Sequence, residues 1–224
     1  MIIAIDGTTS SGKSSIAKEL SKQTKICSVT TGSIYRAITK KCLNLGINPE
    51  DDEKIKFLLE TTDLDYSFDK DKTIIKVDGL VQLPQDLASP EVSNLTPKIA
   101  CKEIVRKFVR AIQKSLAEKN TDIIFEGRDI GSVVFPNADF KFYIDADLKT
   151  RAERRFIDYV NHGKEVTLDQ VMKDVLARDE QDQHRDLSPL IMSSDSILID
   201  TTEKTVLECV NKMKSIIQEN TSEK

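Results

Sequence analysis

One octapeptide constrains this chain more than any other feature: Gly7-Thr8-Thr9-Ser10-Ser11-Gly12-Lys13-Ser14. It matches G-x-x-x-x-G-K-[ST] in full. It also lies between an apolar run, Met1–Asp6, that reads as a buried strand and a helical-period stretch from Ser14 to Lys22. The spacing has a chemical reason. Glycines let successive backbone N–H groups turn inward around a phosphate, and the following helix N-terminus adds its positive end. Lys13 reaches the outer phosphates, the Ser14 hydroxyl ligates Mg²⁺, and Ser15 follows in the first helical turn. An ordinary Gly/Ser turn is the competing reading. With Gly at about 7% of average usage, a chance match is on the order of one in a hundred before the flanking elements are considered. The stretch Gly7 to Ser15 is therefore read as a nucleoside triphosphate site.

The rest of the chain follows the rhythm this loop requires. Apolar runs at Ile26–Thr30, Asp122–Glu126, Phe140–Asp145 and Ile197–Asp200 read as strands. Helical periods run over Ile34–Asn44, Lys98–Glu118, Leu148–Asn161, Leu168–Asp182 and Glu203–Gln218, with a polar, frayed tail from Asn220. Alternation of this kind predicts an α/β protein of the P-loop class: a central parallel sheet flanked by helices, all in one domain. One segment departs from it. LDYSFDKDKTIIKVDGLVQL, within residues 64–87, alternates apolar and polar residues with turn signals at DKDK and DG, and predicts two or three short antiparallel strands inserted into the core.

Composition removes other classes. The formal net charge is −4, so a general binder of nucleic acid or of membrane surfaces is not expected. No run reaches the roughly 18 apolar residues of a membrane span, and the N-terminus lacks a basic leader, so a cytoplasmic location is expected. Cys27, Cys42, Cys101 and Cys209 show no metal-ligand spacing, and the two histidines, His162 and His184, lie far apart. A GTPase would carry [NT]KxD, but Asn211-Lys212-Met213-Lys214 lacks the Asp. A motor ATPase would be longer. A compact phosphotransferase remains.

Four later stretches supply what a second, phosphorylated substrate needs: Thr30-Thr31-Gly32-Ser33-Ile34-Tyr35-Arg36; Asn94 to Arg106, opening a long helix; Glu126-Gly127-Arg128-Asp129-Ile130-Gly131-Ser132-Val133-Val134-Phe135-Pro136; and Arg178 to Arg185. On TGSIYRA, GRDIGSVVFPNA and the RDxxDxxR spacing of Arg178, Asp182 and Arg185, the chain resembles the bacterial cytidylate kinases over essentially its whole length. The resemblance implies transfer of the ATP γ-phosphoryl group to CMP or dCMP, with Mg²⁺, by a monomer. Residue by residue it implies a phosphate clamp of Arg36, Arg128 and Arg185, each of which reads otherwise as a surface ion pair. It implies Arg106 and Asp129 as the pair that reads cytosine, and a hydroxyl from Thr31 in the same pocket. It also implies that Arg178 faces the phosphates and Asp182 the pentose; a solvated charge run is the competing view. Arg151 and Arg155 head a stretch to Val166 that is similar to the family's mobile lid over ATP, although an exposed helix would look the same.

Two positions depart from the family pattern. Pro97 stands where a serine is usual, with Thr96 beside it as a substitute hydroxyl, and Glu126 replaces the usual Asp before GRD. Two readings of Glu126 stand: it holds Mg²⁺ through water, or it is a structural group at a strand end. Two other functions also stand: a kinase for UMP or another small acceptor, and a nucleotide-binding regulator without turnover. The distribution of arginine favours catalysis. Of nine arginines, all but Arg110 fall in the acceptor stretches or the lid, whereas the 24 lysines are spread along the chain.

Overall fold

β1 (Ile2–Gly7), β2 (Cys27–Thr30), β6 (Ile123–Glu126), β7 (Phe140–Asp145) and β8 (Ile197–Asp200) form one sheet in the order β2-β6-β1-β7-β8. This computed structural model describes residues 1–69, 72–161 and 163–221. β1 pairs in parallel with β6 and β7, and β7 with β8. The strand alternation of β1 separates two jobs. Ile3 and Ile5 are fully buried on one face, against Ile16 and Leu20 of α1 (Lys13–Thr24) and Val210, Met213 and Ile217 of α9 (Val206–Thr221). Asp6 lies on the other face, where its carboxylate accepts from the backbone of residues 130 and 131. Truncating a core side chain such as Leu20 to Ala would cost about 2–5 kcal/mol.

Strand order reverses on either side of β1, and in open α/β sheets ligands bind at such a point, beyond the strand C-termini. The phosphate loop, the GRD loop after β6 and Asp145 at the end of β7 all stand there. Two helices, α7 (Leu148–Asn161) and α8 (Leu168–His184), pack on each other. α9 starts at Val206, three residues later than its periodicity suggests. A reciprocal cap fixes this start: the Thr205 hydroxyl accepts from Glu208 N, and the Glu208 carboxylate from Thr205 N. The same helix continues to Thr221, through residues read from sequence as frayed; Ser222 to Lys224 lie outside the described residues.

The chain divides into two units, Met1–Ser28 with Asp122–Lys224, and Val29–Thr121, the passage from first to second falling within β2. The second unit holds α2 (Thr31–Asn44), α3 (Asp52–Glu60), β3 (Leu64–Asp69), β4 (Lys72–Val77), β5 (Leu80–Val81), α4 (Pro84–Leu87), α5 (Pro90–Ala100) and α6 (Glu103–Lys119). The expected antiparallel insert is present as the sheet β3-β4-β5. Its DG turn has Asp78 at φ 52° and Gly79 at φ 77°, both left-handed, as a two-residue hairpin turn requires. Part of the other turn, Lys70 and Asp71, lies outside the described residues.

Three helices of this unit were not expected, and one expectation needs correction. α3 is a short amphipathic helix capped by Asp51, which accepts from Lys54 N at 3.0 Å, and buries Ile55, Leu58 and Leu59. The single helix from residue 98 is two helices. α5 ends at Ala100, and extended Lys102 starts α6. Ile99 and Val105 are both fully buried. Six residues apart in one continuous helix, they would point about 120° apart, so the break lets both face inward.

Candidate active site

The phosphate loop is held open by its own backbone chemistry. Gly7 sits at φ 145°, and a Cβ there would stand 1.9 Å from the Ile144 carbonyl oxygen. Gly12 (φ 94°) and Ser10 (φ 60°) are also left-handed. The Thr8 hydroxyl donates to Asp145 Oδ1 at 2.6 Å, and Ser11 Oγ to Thr8 O at 2.9 Å. Lys13 is buried and folds its ammonium onto the Thr8 carbonyl. Burial, reinforced by the charge of Arg128, lowers the Lys13 pKa to about 7. A bound phosphate would supply the counter-charge that burial makes costly to lack. Ser14 and Ser15 are exposed at the start of α1.

Beyond the loop, one carboxylate gathers three guanidinium groups. Arg128 Nε donates to Asp182 Oδ2 at 2.9 Å; Arg178 Nε stands 3.6 Å from the same oxygen, and Arg185 NH1 3.6 Å from Oδ1. Arg185 also approaches Asp129 Oδ1 at 3.8 Å. Burial alone would raise the Asp182 pKa, but Arg128, Arg178 and Arg185 together hold it below the usual carboxylate range. Burial lowers the pKa of Arg178, whose Nε is buried without a hydrogen-bond partner. Arg128 joins this cluster to the phosphate loop, its NH2 reaching Thr9 Oγ1 at 3.4 Å. Glu126 and Asp179 also act on Arg128, so the cluster's charge is shared among several carboxylates, and forked guanidiniums suit the paired oxygens of a phosphate.

Arg151 and Arg155, the two lid arginines expected to meet ATP, stand in different surroundings. Arg151 is buried, donates to Ala146 O at 2.9 Å and Thr9 O at 3.1 Å, and pairs with Asp179. Arg155 is half-buried, with its guanidinium 4.6 Å above the Tyr159 ring. His162, inside the same stretch, lies outside the described residues.

The remaining residues expected at the acceptor belong to the second unit. Thr31 opens α2, buried, and its Oγ1 accepts from Gln113 Nε2 at 2.9 Å. Arg106 is buried, donates to Ala100 O at 3.0 Å and lies 5.8 Å from the Tyr35 ring centre. Arg36 donates to Leu87 O at 2.9 Å and Ser93 Oγ at 2.8 Å, tying α2 to α4 and α5. The idea that Thr96 presents a hydroxyl in place of the serine is not supported by its geometry. It donates that proton to Val92 O at 2.6 Å, one turn back in its own helix.

A family model described as cytidylate kinase matches residues 3–219. The chain belongs to the cytidylate kinase family. The cytidylate kinase of Clostridioides difficile (strain 630) is 37% identical over 217 residues, covering 97% of this chain and 98% of that one. That of Pediococcus pentosaceus is 37% identical, with 96% and 95% covered, and that of Carboxydothermus hydrogenoformans 36%, with 97% of each. Among solved structures, a shikimate kinase from Bacteroides thetaiotaomicron aligns with a TM-score of 0.52 at 10% identity, covering 97% of this chain and 98% of that one. An uncharacterized protein from Eubacterium ventriosum gives 0.52 at 15%, with 97% and 98% covered. Both are likenesses of fold.

In this cytidylate kinase family member, sequence reasoning passed over Asp6, Gln113 and Asp179. Asp179 accepts from Thr9 N at 2.9 Å while its partner Arg151 holds Thr9 O, so the pair fixes both backbone groups of one loop residue. Asp6 accepts from Ile130 N at 2.9 Å and Gly131 N at 2.7 Å, anchoring the π-helical turn Ile130–Val134 that follows Asp129. Burial raises the Asp6 pKa to about 6 despite these two donors. The signal for both was position: Asp6 directly precedes Gly7, and Asp179 follows Arg178. Among the described residues no cluster of three metal-ligating side chains exists. Mg²⁺ does not need one beside phosphates, keeping several waters and one or two protein oxygens. Glu126 offers a buried carboxylate oxygen, Oε2, without a hydrogen-bond partner, and Ser14 an exposed hydroxyl. The residues fit the ion.

Proposed function

We propose that this chain transfers the γ-phosphoryl group of ATP to CMP and dCMP. A bond forms between an oxygen of the acceptor's phosphate and the γ-phosphorus, and the bond from that phosphorus to the β–γ bridging oxygen breaks, giving ADP and CDP or dCDP. Family membership over residues 3–219 supports the reading, and the observation that carries it is the arginine cluster on Asp182, which Arg128 links to the phosphate loop.

Phosphoryl transfer needs positioning and charge neutralisation more than covalent chemistry. The backbone N–H groups of Gly7 to Ser14 and the Lys13 ammonium hold the donor phosphates, with Ser15 in the same turn. Arg128, Arg178 and Arg185 take the acceptor phosphate and the charge developing between the two, and Arg36 serves the same phosphate. Asp182 meets the pentose while keeping these arginines in place. Asp129 accepts from the exocyclic amine of cytosine, Arg106 donates to the base's acceptors, the O2 carbonyl among them, and Thr31 adds its hydroxyl; uracil leaves that set mismatched. Mg²⁺ would be held by the Ser14 hydroxyl and, through water, by Glu126, and when bound supplies a Lewis acid on the phosphate oxygens. Residues 151–166 form the lid, with Arg155 the side chain that reaches ATP; the bonds of Arg151 to Thr9 and Asp179 suit it to shaping the loop that ATP enters. We place the protein in the cytoplasm as a monomer; no helix among the described residues is long and apolar enough to cross a membrane.

The test is ADP release from ATP and Mg²⁺ with CMP, dCMP, UMP, AMP and GMP in parallel. CMP and dCMP are expected to lead; equal rates with UMP would sink the assignment to cytosine, and no release with any acceptor would favour a regulator without turnover.

A further inference from the structure

Gln113 is fully buried, 1% exposed, on the inward stripe of α6 two turns beyond Arg106. Its Nε2 donates to Thr31 Oγ1 at 2.9 Å, and Thr31 is itself only 4% exposed. Its Oε1 is buried with no hydrogen-bond partner. An amide kept only for packing is a poor choice there, because a half-satisfied buried polar group is worse than an apolar one of the same size. The consequence falls on Thr31. A hydroxyl has one proton and two lone pairs. Once a lone pair takes the Gln113 N–H, the proton must point elsewhere, and among the described residues no bond donated by the Thr31 hydroxyl is recorded.

We infer that Gln113 is a positioning residue for base discrimination: it holds the Thr31 hydroxyl as a hydrogen-bond donor toward N3 of the pyrimidine, which is an acceptor in cytosine and an N–H in uracil. The inference rests on the reading of Thr31 as part of the CMP site. A freely rotating hydroxyl could donate to one base or accept from the other. With one lone pair held by the Gln113 N–H, the rotor is biased to aim its proton at the base, which suits cytosine N3 and opposes the uracil N–H. Gln113 thereby sets selectivity without touching the substrate.

The test is the ratio of kcat/KM for CMP to that for UMP. Gln113→Glu replaces the N–H with a carboxylate oxygen, which can only accept from Thr31, and turns the hydroxyl's lone pairs toward the base. The ratio is expected to fall by about tenfold or more, with the KM for ATP unchanged. Gln113→Met, apolar and of similar length, avoids a buried charge and should lower the ratio by a smaller factor. In a Thr31→Val background neither change should move the ratio further, since the effect passes through that hydroxyl. A parent enzyme that prefers CMP, with the same ratio in the Gln113→Met variant, would overturn the inference and leave the kinase reading intact. A parent without CMP preference would instead remove the reading on which it rests.

Discussion

Each unit holds a group of the expected clamp and base-reading arginines, and the two groups are held in opposite ways. In the first, Arg128, Arg178 and Arg185 surround a carboxylate, Asp182, at 2.9 to 3.6 Å. In the second, Arg36 and Arg106 rest on backbone carbonyls, a serine hydroxyl and a tyrosine ring. A carboxylate fixes several guanidiniums at once at the cost of burying charge, and a phosphate can share them without rebuilding the cluster. A carbonyl accepts an N–H and brings no full charge of its own. The first arrangement suits a doubly charged group that must be met in one geometry, and the second suits recognition that completes itself on binding.

Substitutions can break this contrast in graded steps. Lys13→Met should have the largest effect, lowering kcat about 10²- to 10³-fold, the usual loss when one preorganised donor to developing charge is removed. Asp182→Asn comes next. It leaves three arginines without their shared anion, and removing one partner of a buried pair costs about 3–5 kcal/mol. For a chain of this size that is a fall in Tm of about 10 °C, read by calorimetry, together with a rise in KM for CMP. Arg106→Lys should raise KM for CMP about tenfold and leave KM for ATP unchanged, because Lys lacks the planar fork. Thr96→Val should leave both constants within about twofold, its proton being spent on Val92 O. A large rise in KM there would show that the hydroxyl leaves its helix to meet the nucleotide.

A pH measurement sharpens the account of the first unit. The folded-state pKa of Asp6 is raised from 3.8 to about 6, so this group's favourable contribution is complete below 3.8 and is lost as pH rises to about 6. Urea midpoints over that window should therefore fall less with rising pH in Asp6→Asn than in the parent. Identical slopes would mean that Asp6 ionises as freely folded as unfolded.

Much of the first unit was legible because its signals are local. The glycine spacing of the phosphate loop, the strand-helix alternation and the arginine motifs each occupy a few consecutive residues. The second unit hid more. Whether residues 98–118 make one helix or two depends on what Ile99 and Val105 both have to bury, which no short window contains. Likewise Arg178-Asp182-Arg185 could be read as one helix face, but Arg128, 54 residues before Asp182, completes the cluster only through the fold. Gln113 carried no signal at all, since its partner Thr31 lies 82 residues away. The GRD loop is intermediate. Its motif was evident, but the reason it holds its shape is Asp6, more than 120 residues earlier.

The central claim is that the arginine cluster and the phosphate loop act together to move one phosphoryl group onto CMP. Phosphorus NMR of a single mixture of enzyme, Mg²⁺, ATP and CMP tests it most directly. The account predicts that the β-phosphate resonance of CDP grows mole for mole with ADP and that no inorganic phosphate accumulates. ADP appearing with inorganic phosphate and without CDP would contradict it.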